Sequence, residues 1–189
     1  MVSRDGIAWR RVAPRDSYFP RGAPGAWDSE AIIPVAPVIH KDRIWIYYTG
    51  WNLPYSKVAL SRAHKGWFEN GQRMQRAIGL ATLRLDGFAS MHAGIEAGSL
   101  TTRLIKMMGS SLLLNAQVRG ELRVEILDEN NQPFPGYSAA DCRPIRSDEH
   151  RRSVLWKGRS NLDGLAGKSV RLRFHLKDGD LYSFKLVSK

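Results

Sequence analysis

The chain of 189 residues has one cysteine, Cys142. A single thiol cannot form an intrachain disulfide, so no covalent staple holds this fold. A thiol nucleophile would need a histidine and an orienting partner in space, and a buried bystander is the plainer reading. Long apolar runs are missing. None approaches the roughly 20 residues that a membrane helix needs. Met1-Val2-Ser3-Arg4-Asp5 has no apolar signal core. The chain as given is expected to be soluble and cytoplasmic, with no membrane partner; a parent enzyme carrying its own leader would be secreted. His40, His64, His92, His150 and His175 are scattered, without His-x-x-x-His or Cys-x-x-Cys spacing, so no metal site is expected. Phosphate-cradling loops, dinucleotide fingerprints and Gly-x-Ser-x-Gly are absent too. No cofactor is expected. Asp128-Glu129-Asn130-Asn131 reads as a hairpin turn before it reads as a calcium loop.

Acidic residues are in deficit. Lys and Arg number 29 against 18 Asp and Glu, a net +11. A nucleic-acid binder usually gathers such charge on one face or in one run. Here residues 1–76 carry +6 and residues 77–189 carry +5, and the tightest runs are the pairs Arg10-Arg11 and Arg151-Arg152. Arg171 and Arg173 alternate with apolar neighbours, as on the wet face of a strand. No specific nucleic-acid partner is expected, although such a charge favours anionic surfaces at low salt.

Helical periodicity is scarce, and short alternating runs replace it. Arg43 to Thr49 is aromatic and β-branched and follows the turn-like Lys41-Asp42, which predicts a strand. Ile32 to Ile39 holds Pro34 and Pro37, which predicts an edge or irregular strand. Ala77 to Leu85 predicts a strand ended by the Asp86-Gly87 turn. Beyond it, six further strands are expected: Ser99–Ile105, Ser111–Ala116, Glu121–Leu127, His150–Trp156, Ser169–Leu176 and Leu181–Val187. Turn signals separate them, Lys177-Asp178-Gly179-Asp180 among them. Residues 161–167 could make one helical turn. The expected class is all-β, with a β-sandwich over about 97–189.

Ser3-Arg4-Asp5-Gly6-Ile7-Ala8-Trp9 fits a degenerate Asp-box, in which the Asp caps a hairpin turn and the Trp packs between sheets. Such boxes recur on β-propeller blades. The Asp-box is followed by Gly25-Ala26-Trp27-Asp28-Ser29, Pro37-Val38-Ile39, Ile44 to Gly50, Ile78 to Ala81 and Leu85 to Phe88. In that order these segments resemble the last blade of five-bladed β-propeller glycoside hydrolases, the sucrose-hydrolase and arabinanase-like group. Thr101-Thr102 onward, through Leu122 to Asp128 and Val170 to Phe174, resembles the β-sandwich that follows such propellers. The resemblance implies a partial propeller-like antiparallel sheet over 1–90, then the sandwich. A whole propeller takes roughly 250–300 residues, at about 50 per blade. The family's catalytic Asp and Glu lie on earlier blades and have no counterpart here. The chain is thus expected to be the C-terminal portion of a larger enzyme, or a short product derived from one.

The resemblance implies a carbohydrate partner and glycoside hydrolysis. That chemistry needs two carboxyl groups about 5–5.5 Å apart for retention or about 6.5–9.5 Å apart for inversion. Asp28 and Glu30 are the best local pair, because i and i+2 on a strand share a face. Trp27, Trp51, Tyr55 and Trp67 lie near loops and are the candidate platforms for sugar stacking. Trp45, Tyr47 and Trp156 are expected in the core. Tyr47 and Tyr48 have opposite strand parity, so one of them should face water. Open sheet edges invite self-association, so a homo-oligomer is expected. The alternative to a hydrolase is a non-catalytic carbohydrate-binding or structural β-module, and a nucleic-acid binder is a third reading.

Overall fold

A computed structural model of the chain describes residues 1–3, 5–11, 17–53, 74–159 and 161–188. Among the described residues strand takes 53% and helix 2%, which makes the protein all-β, with antiparallel sheets. Two compact units form: residues 1–40 with 44–82, and residues 41–43 with 83–189. The division thus falls after Thr82, ahead of the expected boundary at 90–97.

The first unit opens with the hairpin β1 (Val2–Ser3) and β2 (Trp9–Arg10). Its turn is built as the Asp-box predicts. Asp5 Oδ1 accepts from the Ile7 and Ala8 amides, each at 2.8 Å, and Ser3 Oγ accepts from Gly6 N at 2.9 Å. Those donors hold the Asp5 carboxyl below the usual carboxylate range. The Trp of the motif behaves differently. Trp9 is 58% exposed, because β1 and β2 make a two-stranded sheet of their own with no layer beneath it among the described residues.

The unit's main sheet joins β3 (Ala31–Pro34), β4 (Val38–His40), β5 (Arg43–Trp51) and β6 (Arg76–Arg84). Both β3 and β4 pair with β5, as does β6. Pro34 and Pro37 interrupt the β3–β4 side, where missing amide donors cost least. Tyr47 is exposed, not in the core as expected of it, and Tyr48 is half-buried; their opposite strand parity puts them on opposite faces, and Tyr47 has the uncovered one.

The second unit is one six-stranded sheet curled into a half-barrel. It comprises β7 (Met91–Ala93), β8 (Gly98–Thr101), β9 (Ile105–Lys106), β10 (Ser111–Leu127), β11 (Asp148–Ser153) and β12 (Ser169–Val187). Strand β10 pairs with β12 from Ser111↔Val187 to Leu127↔Arg171. Short strands β7, β8 and β9 take successive stretches of the other edge of β12, and β11 takes the other edge of β10. The expected strands 111–116 and 121–127 are therefore one strand, as are 169–176 and 181–187. The Lys177 to Asp180 signal is a bulge rather than a hairpin turn: Asp178 takes a φ of 46°, and the register resumes beyond it. The expected helical turn is a 3-10 turn, Asp163–Leu165.

Alternation fills the core. Leu112, Leu114, Leu122, Val124 and Ile126 of β10 meet Val170, Leu172 and Phe174 of β12, all fully buried. Each such side chain stabilises the fold by about 1.5–3 kcal/mol. Residues 133–156 close over them through Tyr137, Cys142, Ile145 and Trp156. Trp156 Nε1 donates to Val124 O at 3.0 Å, and the Val124 amide points at Cys142 Sγ at 3.2 Å. Burial pushes the Cys142 thiol up, away from reactivity.

Polar side chains are embedded here as well: Glu125, 7% exposed, is ion-paired with Arg173 at 3.1 Å, and Asn115 lies deeper. Asn115 is 3% exposed. Its Nδ2 donates to Leu85 O at 2.6 Å, and its Oδ1 accepts from Arg84 Nε at 2.5 Å. Arg84 also donates to Asp148 and to Ala116 O, and lies over the Tyr182 ring at 4.9 Å. Asn115→Ala would strand the part-buried Leu85 carbonyl and an Arg84 guanidinium donor. We expect it to cost about 2–3 kcal/mol, read as a lower denaturant midpoint with an unchanged slope.

Candidate functional site

The segment before β3 carries the two expected carboxylates. Pro24-Gly25 forms a turn, with Gly25 at φ 89° and Ala26 N bonded to Ala23 O at 2.9 Å. A second turn follows, Ser29 N to Ala26 O at 3.1 Å, with Trp27 and Asp28 at its centre. Strand β3 starts only at Ala31. Asp28 and Glu30 are therefore turn and bend residues, and the shared strand face expected of them does not form.

The two side chains have separate partners. Asp28 Oδ2 accepts from the Tyr48 hydroxyl at 2.9 Å. Burial, and then this bond to a carboxylate, push the Tyr48 phenol above its usual range. Glu30 is exposed and faces Arg21, whose Nη1 lies 3.7 Å from Glu30 Oε2 and donates to Glu30 O at 2.9 Å. Each carboxylate is thus committed to a neighbour.

Around Asp28 the rings close in. Trp27 stacks on Tyr48, with centroids 5.7 Å apart and planes 16° off parallel. Phe19 meets Tyr48 edge-on at 4.9 Å. Two glycines of the sheet admit this cluster. A Cβ added at Gly50 would lie 2.5 Å from Asp28 Cβ and 2.7 Å from the Trp27 ring, and one at Gly79 would lie 2.4 Å from the Tyr48 ring.

The other candidate platforms fare differently. Trp51 is 6% exposed, with the Arg76 guanidinium 5.3 Å over its ring. It is packed inside its unit and offers no open face. Tyr55 and Trp67 lie outside the described residues. Trp27 is half-buried and remains the one described platform residue with part of its ring uncovered. Tyr48, Phe19 and the two close-packed glycines were not among the expected site residues. The Pro24-Gly25 pair ahead of Trp27, and the parity of Tyr48, were the signals for them.

Among the described residues of the second unit, a cavity and a cleft share Ser110. A cavity of about 160 Å³ is lined by serines, Asn161 and Arg159. A cleft of about 640 Å³ is lined mainly by residues 106–110 and 166–167. Among the described residues, no three His, Cys, Asp or Glu side chains gather as a metal-binding group, and no helix is long and apolar enough to cross a membrane.

If the glycines are needed for this packing, Gly50→Ala must push either the Asp28 backbone or the Trp27 ring. We expect a loss of about 1–3 kcal/mol, together with a shift in Trp fluorescence as the Trp27–Tyr48 stack opens. No known protein family, no curated protein and no solved structure matches this chain.

Proposed function

We propose that the chain is a non-catalytic carbohydrate-binding β-module, related in pattern to the C-terminal part of propeller glycoside hydrolases. The observation that carries this reading is the Trp27–Tyr48 stack with Asp28 at its edge. A flat ring beside a fixed carboxylate offers a sugar an apolar face and a hydrogen-bond acceptor together. Hydrolysis is less well supported, because Asp28 is bound to Tyr48 and Glu30 to Arg21 rather than facing one another across a bond.

Affinity electrophoresis of the full chain against a panel of soluble polysaccharides tests this. At least one glycan should retard the protein without releasing reducing sugar. Trp27→Ala should weaken that binding about tenfold, the worth of one aromatic contact. Turnover of a chromogenic glycoside that Asp28→Asn and Glu30→Gln abolish would instead restore the hydrolase. Failure of every glycan to bind would overturn the reading.

We also propose that copies of the chain associate through the first unit. One face of its main sheet presents Ile33, Val35, Ile78 and Leu80, with Ile78 76% exposed. Registers place Ile33 opposite Thr49, and Ile78 and Leu80 alternate with Gly79, which turns to Tyr48. Such an apolar sheet face with open edges calls for cover. Light scattering at tens of micromolar should give a multiple of 21.3 kDa, and Ile78→Glu should return the monomer. A monomer mass for the native chain would sink the idea.

A further inference from the structure

We propose that the second unit binds an anionic sugar ring in the cavity that Ser110 and Ser111 line together with residues 153–156, Arg159, Asn161 and Leu162. The inference rests on the carbohydrate reading and adds to it a second place to bind and the class of sugar bound there. The cavity measures about 160 Å³. A void of roughly 150 Å³ accepts a benzene ring, so this one accepts a single six-membered ring with its substituents at the mouth.

The lining chooses among such rings. Ser110, Ser111, Ser153, Asn161 and Arg159 supply polar groups, and Trp156 forms part of the wall. Hydroxyls donate and accept, as the hydroxyls of a sugar do. The side chains of Ser111 and Ser153 make no hydrogen bond among the described residues, so both are available to a ligand. Arg159 is already positioned: its guanidinium lies 5.4 Å over the Tyr137 ring and Nη2 donates to Pro135 O at 3.2 Å. The remaining donors of that fork match a carboxylate or a sulfate ester. No acidic side chain lines the cavity among the described residues. The Asp163 carboxylate accepts from Asn161 Nδ2 at 2.5 Å and lines the neighbouring cleft rather than the cavity, so Arg159 is the charged side chain of the cavity lining itself.

The two halves of the lining narrow the ligand together. A neutral ring would leave Arg159 unmatched, and a bare anion would leave the serines unmatched. A uronic acid or a sulfated sugar uses both. The net charge of +11 draws such ligands toward the protein. The cleft of about 640 Å³ that shares Ser110 gives room for an attached saccharide to continue.

Isothermal calorimetry on the full chain decides the matter, with glucuronic acid, glucose 6-sulfate, glucose and inorganic sulfate as probes. One or both charged sugars should bind at least about tenfold more tightly than glucose or sulfate. Which of the two binds names the source of the charge. Arg159→Gln should erase the preference for charge, and Ser153→Ala should weaken the charged sugar severalfold. Lys157→Gln removes a positive charge next to Trp156 without touching the cavity and should change nothing. Should Arg159→Gln fold poorly, Ser153→Ala and Ser111→Ala still decide. If glucose and glucuronic acid bind alike and only Trp27→Ala matters, this inference falls and the carbohydrate reading stands. If sulfate alone binds as well as the sugars, the cavity is a plain anion site and the inference falls. If neither these sugars nor any polysaccharide binds, both readings fall together.

Discussion

The antiparallel ladder between β10 and β12 is the constraint on which the second unit depends. Register runs from Ser111↔Val187 to Leu127↔Arg171, and every other strand of that sheet is paired to one of these two. A ladder this long cannot stay flat, because strands twist. Three registers along it slip, between Asn115 and Ala116, between Val118 and Glu121, and, on the β11 side, between Leu114 and Ala116. These slips let two strands curl around a core that flat strands would leave open. They also move the buried positions of β12 from Leu176 to Leu181, an odd step, while β10 keeps its even parity.

A bulge frees a side chain that a regular ladder would commit to one face. Asn115 sits at such a slip, buried, with its amide nitrogen bonded to Leu85 O and its amide oxygen to Arg84. Arg84 spans the irregularity, reaching Ala116 O on β10 and the Tyr182 ring on β12. A polar residue in a core is tolerated when every donor and acceptor is matched. Here the match also fixes where the chain enters the sheet, since Leu83 begins the long run of the second unit. The apolar ladder supplies the bulk of the stabilisation, and the Asn115–Arg84 pair supplies a unique register.

Much of this was legible in the sequence, and the failures have physical reasons. Alternation of Leu122, Val124 and Ile126 with Arg123 and Glu125 announced strands with one buried face; the three apolar residues are buried so, whereas Glu125 on the other face is also buried, in an ion pair with Arg173. The joining of strands across Lys177 to Asp180 was not legible. An Asp-Gly pair serves a hairpin turn and a bulge equally well, and only the partner strand decides between them; here Asp178 alone of the pair takes a positive φ. The Asp5 cap was legible because its donors lie within three residues of it. The exposure of Trp9 was not, because it depends on which layer lies beneath. The 160 Å³ cavity was invisible for the same reason: Ser110, Ser153 and Asn161 come from separate segments that no local pattern connects.

The carboxylate pair shows how the point at which a strand begins alters chemistry. Had β3 begun before Asp28, Asp28 and Glu30 would project from one face, separated as a two-step stretch of strand separates them. Strand pairing instead begins at Ala31↔Trp51, and the turn at Ala26 to Ser29 swings Asp28 inward onto Tyr48. Glu30, two residues on, is left with Arg21 at the surface. An acid and a base acting on one glycosidic bond must face the same oxygen and carbon from opposite sides. Two carboxylates committed to a phenol and to a guanidinium are arranged to hold a local structure and to leave an aromatic edge beside it. On the proposed reading, that arrangement serves recognition of a sugar rather than cleavage of one.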